Sequence, residues 1–310
     1  MTRATPRRIV SLLSSATEML FALGAAESVL AVSHECDYPF AARSLPRATF
    51  SRIDAALGSG AIDAEVRARF AAGEPLYGID ADLLRRLRPD LIVTQAQCDI
   101  CAIRYDDVVA AVADSPELAG CEIVTLQPTS LADVLHDILR LGAALGRDEA
   151  AIAFVRSLQE RLDRVRERVA TTPERPRVVC LEWFEPLMAA GNWTPELIEL
   201  AGGVSGLAAV GLHSEYIGWD LVRAFDPDVL LAAPCGFDLP RALAELPALT
   251  GRPGWNALKA VRAGRGYAVD GNAYFNRSGP RLVDTVELLA GLLHPDRCPP
   301  AFADAYRQLT

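Results

Sequence analysis

The sequence predicts an α/β protein of two lobes with mainly parallel sheets, bridged by one long α-helix. Three observations carry that prediction. Short β-type runs alternate with helical patterns along the chain, an alternation that folds as βα units. One amphipathic segment, 148–170, separates the two halves. One stretch also recurs: DLLRRLRPDLIVT from Asp82 aligns without gaps with DLVRAFDPDVLLA from Asp220.

The first element is a strand over 8–13 (RIVSLL), followed by a helix over 16–23. Ser15-Ala16-Thr17-Glu18 reads as a capping box, in which the serine hydroxyl takes an orphan amide and the glutamate reaches back to the cap. Gly24 supplies the stop. The same segment imitates a secretion signal, a basic MTRATPRR before an apolar run, but Glu18 interrupts that run and the capping pattern explains the residues a signal leaves over. The expectation is a chain without an export signal. No apolar run reaches the ~18 to 20 residues of a membrane helix, so a soluble, cytoplasmic protein with no membrane insertion is expected.

SVLAVS, LIVTQ and EIVTL supply the remaining strands of the first half, and RVVCLEW, VLLAA and GYAV those of the second. Between them Ile152, Val155, Leu158, Leu162, Val165 and Val169 recur at spacings of three and four. That spacing makes one amphipathic helix of about 35 Å by rise per residue. TTPERP, with two prolines, closes it. The boundaries are a first lobe over 1–147, a linking helix over 148–170 and a second lobe over 171–310. In both copies of the repeat a helix ends before Pro-Asp, because the residue before proline is pushed out of the helical region.

At 310 residues each lobe can bury its own core. The formal charge of -9 argues against a nucleic-acid partner, since a phosphate backbone needs a basic face; a small-molecule partner and a monomer are expected. Seven cysteines is an odd number at spacings unlike a secreted disulfide framework, which points to reduced thiols.

In open α/β sheets ligands bind beyond the carboxyl ends of the strands, and the unusual residues fall there. His34, Glu35, Cys36 and Tyr38 follow the second strand, and Gln95, Cys98 and Cys101 follow LIVTQ. Trp183 and Trp193 follow RVVCLEW. His213, Tyr216 and Trp219 precede the second repeat helix, and Tyr274, Phe275 and Arg277 follow GYAV. The aromatics suit stacking on a flat ligand, although core packing accounts for each alone. His34 and His213 are candidate ligands to a bound metal, although loop histidines more often only hydrogen-bond. Cys36, Cys98 and Cys101 are expected together, where three thiolates suit zinc or an iron-sulfur cluster. No Gly-x-Ser-x-Gly, phosphate-cradling loop or His-Glu-x-x-His occurs, so no enzyme is expected, save for thiol redox chemistry at Cys98 and Cys101.

Taken together, RIVSLLSSATEMLFALGA, Asp37-Tyr38-Pro39, LLRRLRPDLIV, the linking helix, WNALKAVRAGRGYAVD and NAYFNRSGPRLVDTVELLAGLLHP resemble the cobalamin-binding and siderophore-binding solute receptors of ABC importers. The resemblance runs from 8 to about 295. It implies two Rossmann-like lobes bridged by a rigid helix, the class III periplasmic binding protein fold, with ligand held between the lobes. The cobalamin receptors are the nearest match, through Asp-Tyr-Pro and through Phe275, Arg277, Pro280 and Arg281. By this resemblance Arg277 is the pocket arginine, Glu35 and Gln95 replace two pocket aromatics, and Asp82 and Asp220 fall on the permease-docking carboxylates. With no export signal read, permease docking is set aside and an intracellular carrier or store of cobalamin or another corrinoid is expected. A metal, iron-sulfur or haem-type carrier and a thiol redox protein remain the alternatives.

Overall fold

Ile9, Val10 and Ser11 are all buried and form β1 (Ile9–Ser11), which leads directly into α1 (Ser14–Ala22). The computed structural model describes residues 8–96, 100 and 102–309. It divides the chain into one unit of Met1–Leu57, Ala64–Pro128 and Ala132–Arg156, and a second of Gly58–Asp63, Thr129–Leu131 and Ser157–Thr310.

The expected capping box does not form. Leu13 is the cap of α1 without a side-chain bond, and Ser15 and Glu18 lie inside the helix, both buried. The reason is that the strand ends early and the helix starts two residues sooner than expected, placing the serine at the second helical position instead of at the cap. The Gly24 stop is present: Gly24 takes φ 73° and Ala25 N–H donates to Leu20 C=O at 2.9 Å, a glycine-centred closure.

Along the chain follow β2 (Val29–Val32), β3 (Thr49–Ser51), α2 (Ser59–Ala71), β4 (Tyr77–Ile79), α3 (Ala81–Leu87) and β5 (Leu91–Gln95). Then come α4 (Tyr105–Ala113), β6 (Glu122–Leu126) and α5 (Leu131–Ala144). The main sheet of the first unit has the order β2-β1-β5-β6 with every pairing parallel, while β3 and β4 form a separate antiparallel pair. Val10, Ala31, Leu84, Ile92 and Val108 make its core.

The linking helix α6 (Asp148–Val169) is present over nearly its expected length. Residues up to Arg156 group with the first unit and those from Ser157 with the second. Within the second unit Arg161 of α6 donates to Glu287 at 2.9 and 2.6 Å and also to Asp284.

The second unit then runs through β7 (Arg177–Phe184), β8 (Leu187–Ala189), α7 (Thr194–Leu200), β9 (Val204–Ser205), β10 (Glu215–Tyr216), α8 (Trp219–Phe225) and β11 (Val229–Ala232). It finishes with α9 (Leu239–Glu245), α10 (Pro247–Thr250), α11 (Lys259–Arg262), β12 (Gly266–Val269), α12 (Leu282–Leu293) and β13 (Tyr306–Leu309). Its sheet has the order β10-β8-β7-β11-β12-β13, with β9 beside β7. β9, β7, β11 and β12 run parallel, and β8, β10 and β13, which sequence reading did not anticipate, are antiparallel.

The repeat is structural as well as sequential. α3 and α8 both end on a non-glycine residue in the left-handed region, Arg88 at φ 45° and Asp226 at φ 45°, each directly before Pro-Asp. Asp90 N–H donates to Arg8 C=O and Asp228 N–H to Arg177 C=O, both at 2.8 Å. The helix, turn and strand entry thus share one geometry in the two units, and the strands that follow are wholly buried.

Candidate ligand-binding site

In the second unit β7, β11 and β12 are parallel, so the segments that follow them gather along one edge of the sheet. After β12 the chain makes a wide helical turn, Gly271–Phe275, closed by Asn276 N–H donating to Gly271 C=O at 3.0 Å. Turns of this width concentrate at functional sites. The turn presses on the segment following β11: Gly271 lies against the Pro234 carbonyl oxygen, and Asn272 N–H donates to Phe237 C=O at 3.0 Å.

Side chains from all three strand ends meet here. Trp183 and Phe237 stand edge to face with ring centroids 5.3 Å apart, and Trp183 Nε1 donates to Glu185 C=O at 3.1 Å. Arg277, only 7% exposed, donates to Asn272 Oδ1 at 3.0 Å. Trp193 is buried and donates Nε1 to Phe275 C=O at 2.7 Å. On either side of that bond, Asn192 Oδ1 and Asn276 Oδ1 are buried without a hydrogen-bond partner. A buried acceptor left unpaired costs about 1 to 3 kcal/mol, and two of them flank this one turn.

Near the end of β7 this edge also carries the carboxylate of Glu182. Burial pushes it up to about 7, only partly offset by the hydrogen bond from Ser214, whose Oγ also accepts Gly191 N–H at 2.9 Å. A carboxyl group held above its unfolded value stabilises the protonated fold, so stability falls as pH rises from about 4.5 to about 7. Glu182→Gln removes that loss. The variant is expected to be more stable than wild type at about pH 8, on the order of 2 kcal/mol, and equal to it near pH 4. Urea unfolding at the two pH values measures this, and an equal difference at both would show that folding leaves the Glu182 pKa unshifted.

Of the other expected residues in this unit, Tyr274 sits in the wide turn with its ring 5.4 Å from Phe302, and Phe275 is buried. Tyr216 is half-exposed and donates to Asp63 at 2.6 Å, while His213 is exposed in the loop that carries Ser214. Trp219 opens α8, stacks on Trp255 with ring centroids 6.2 Å apart, donates to Pro253 C=O at 2.8 Å and packs against the core.

In the first unit the loop after β2 is tied down by Arg47, which donates to Ser33 C=O at 3.1 Å and Cys36 C=O at 2.7 Å. His34 stands 5.4 Å from the Tyr77 ring, and its N–H and Nδ1 lie 3.1 and 2.8 Å from Thr49 Oγ1. Burial holds the imidazole below its ordinary pKa; Glu35 works the other way and Arg47 adds to the lowering. Glu35 and Tyr38 are exposed, and Gln95 is buried at the end of β5, donating to Ile103 C=O at 3.4 Å.

Cys98 and Cys101 lie outside the described residues. Cys36 is fully buried with its Sγ 3.1 Å from Thr17 Oγ1. Its thiol faces the junction of β1 and α1 instead of the loop surface, since the tight turn from Ser33, closed by Cys36 N–H at 3.1 Å, rotates it inward. Among the described residues no group of three or more His, Cys, Asp or Glu side chains is placed to hold a metal ion. Asp82 and Asp220 occupy equivalent exposed places at the starts of α3 and α8, each paired with the arginine three residues on, Arg85 and Arg223.

Sequence reasoning missed Phe237, Ser214, Thr49 and Tyr77, none of which is a rare residue type. The one signal was position, as Phe237 closely follows a strand that the repeat identifies.

Comparison with known proteins agrees with this architecture. A family model described as periplasmic binding protein matches residues 9–273. An uncharacterized ABC transporter substrate-binding lipoprotein, YvrC of Bacillus subtilis (strain 168), is 24% identical over 302 residues, covering 94% of this chain and 81% of that protein. Among solved structures, a periplasmic heme binding protein from Pseudomonas aeruginosa superposes with a TM-score of 0.74 at 21% identity, covering 98% of both chains. The periplasmic vitamin B12 binding protein BtuF of Vibrio cholerae does so with a TM-score of 0.67 at 22% identity, covering 93% of this chain and 97% of that one. The family match and the lipoprotein relative overturn the expected cytoplasmic location. The reading failed because it weighed helix-capping signals, one of which does not form, against an export signal.

Proposed function

The chain belongs to the periplasmic binding protein family, as a solute-binding protein of ABC transporters, and from that premise we propose that its solute is cobalamin or a closely related corrinoid. The observation that supports this most is the second unit's sheet edge, where the Trp183 and Phe237 rings lie beside a turn carrying Asn272, Asn276 and Arg277. Aromatic faces suit a flat macrocycle, and the Asn192 and Asn276 side-chain oxygens suit the amide N–H groups on a corrin rim. The exposed Asp82 and Asp220 are the proposed docking carboxylates for a permease.

Calorimetric titration with cyanocobalamin, cobinamide and haemin tests the proposal. One-site heat with the corrinoids and a weaker response to haemin is expected; no heat with either corrinoid would overturn it. Arg277 is the side chain whose loss weighs most on binding. Removing a charge-assisted bond costs about 1.5 to 3 kcal/mol, so Arg277→Ala is expected to bind cobalamin about tenfold to a hundredfold more weakly. Wild-type affinity in that variant would take Arg277 out of the site.

A further inference from the structure

His294 ends α12 with its ring buried, and its Nε2 lies 3.2 Å from Gly202 C=O. A carbonyl only accepts, so Nε2 carries the hydrogen and a second proton would enter at Nδ1. Gly202 follows the end of α7 in the left-handed region, at φ 86°, and a side chain there would stand 2.6 Å from Nε2 and 3.0 Å from Val169 of α6. At Gly203 a side chain would stand 2.9 Å from both Leu293 of α12 and Ile198 of α7. The C-terminal end of α7 is thus held against α12, within the second unit, by one imidazole and two close glycine contacts. At the other end Trp193 caps α7 and donates to Phe275 C=O at 2.7 Å. One short helix therefore joins His294 to the wide turn.

Cations gather near the ring. Arg265, just before β12, donates to Leu293 C=O at 2.9 Å and Leu292 C=O at 3.4 Å, and Arg175 donates to Gly203 C=O at 2.8 Å. Arg168 of α6 acts on Cys298, whose N–H donates to His294 C=O at 2.8 Å. Glu174 is a carboxylate that acts on the ring, and Asp296 and Arg297 follow on its own segment. A helix C-terminus ordinarily favours a positive charge, but Arg265 already holds the Leu292 and Leu293 carbonyls of α12. Burial lowers the imidazole pKa most; the bond to Gly202 C=O raises it, Arg265 lowers it and Glu174 raises it, with a net lowering. A base held below its ordinary value of 6.5 supports the fold while neutral. That support is complete above about pH 6.5 and is lost as pH falls through the folded value.

We propose that His294 is an acid-sensitive latch: as a neutral ring it clamps the C-terminal end of α7 to α12, and as a cation it loosens that end and, through α7, the seat of Trp193 on the wide turn. Uptake of one proton at Nδ1 is the chemical step. The latch belongs to the ligand-free protein and does not depend on which solute is bound.

Hydrogen exchange of α7 and α12 in the whole ligand-free protein tests it, comparing about pH 8 with about pH 5 after correction for the intrinsic effect of pH on exchange. Wild type is expected to lose protection several-fold in α7 and at the end of α12 on acidification. His294→Gln, whose amide can still donate to Gly202 C=O but takes up no proton, is expected to keep it. An equal acid loss in both overturns the latch. Arg265→Gln gives a second reading that does not require the first variant to fold. With no guanidinium on the Leu292 and Leu293 carbonyls the imidazolium is accommodated at the helix end, and the acid loss is expected to shrink. An undiminished loss in that variant also overturns the latch. Neither experiment contains cobalamin, so either failure leaves the corrinoid reading standing.

Discussion

Gly271→Ala is expected to lose ligand binding and to destabilise the second unit by about 3 kcal/mol or more. The added methyl group would collide with the Pro234 carbonyl oxygen and stand 2.8 Å from the Ala233 carbonyl carbon. Both are backbone atoms of the segment that follows β11, so no side chain can rotate aside. Overpacking of this kind costs about 1 to 3 kcal/mol even where the neighbours relax. Here relaxation moves the turn carrying Asn272 and Arg277 away from Phe237, so binding falls with stability. Urea midpoints and cobalamin titration of the variant measure both, and wild-type values would show that the two segments separate without cost.

The second large effect concerns α6. Arg161 holds Asp284 and Glu287 of α12, with side-chain exposures of 27%, 19% and 27%. Arg161→Ala leaves two carboxylates side by side with no cation between them. Fully buried pairs broken in this way lose about 3 to 5 kcal/mol, and partial exposure brings the expectation to about 2 kcal/mol. Burial already holds Asp284 above the ordinary carboxylate range against the pull of Arg161, with Glu287 adding to the rise. Without the arginine Asp284 rises further, and a raised carboxyl group favours the fold when protonated. The deficit is therefore expected in full at about pH 8 and to shrink as pH falls through the raised Asp284 range. A deficit constant with pH would assign the loss to packing by the arginine stem.

The sequence was most legible where the physics is local. Alternating strand and helix runs, the α6 spacing, and the Pro-Asp that ends α3 and α8 depend on residues within one or two turns of each other. Their positions in the structure follow the pattern closely. The antiparallel strands β8, β10 and β13 were not legible, because three residues of LMA or two of EY carry no periodicity and owe their pairing to a neighbour that is distant in the chain. Side-chain direction was the other gap. Cys36 and Trp219 sit where the chain was expected to carry them, yet a tight turn points one thiol inward and a helix face directs one indole to the core. Arg277 and Trp193 were singled out through their places after strands. Phe237 and Thr49 are ordinary residue types whose significance lies in what they touch.

Arg88 and Asp226 turn the chain in the same way, at φ 45° each, between the same kind of helix and the same kind of strand. The molecule thereby contains a matched pair of experiments. A substitution made at both turns meets one backbone geometry twice, so any difference in outcome reports the surroundings and not the turn. A cationic side chain occupies one member of the pair and an anionic one the other. Exchanging the two, Arg88→Asp with Asp226→Arg, holds composition and net charge constant while reversing the local field at each helix end. The chain supplies its own control for weighing electrostatics against conformation at a left-handed cap.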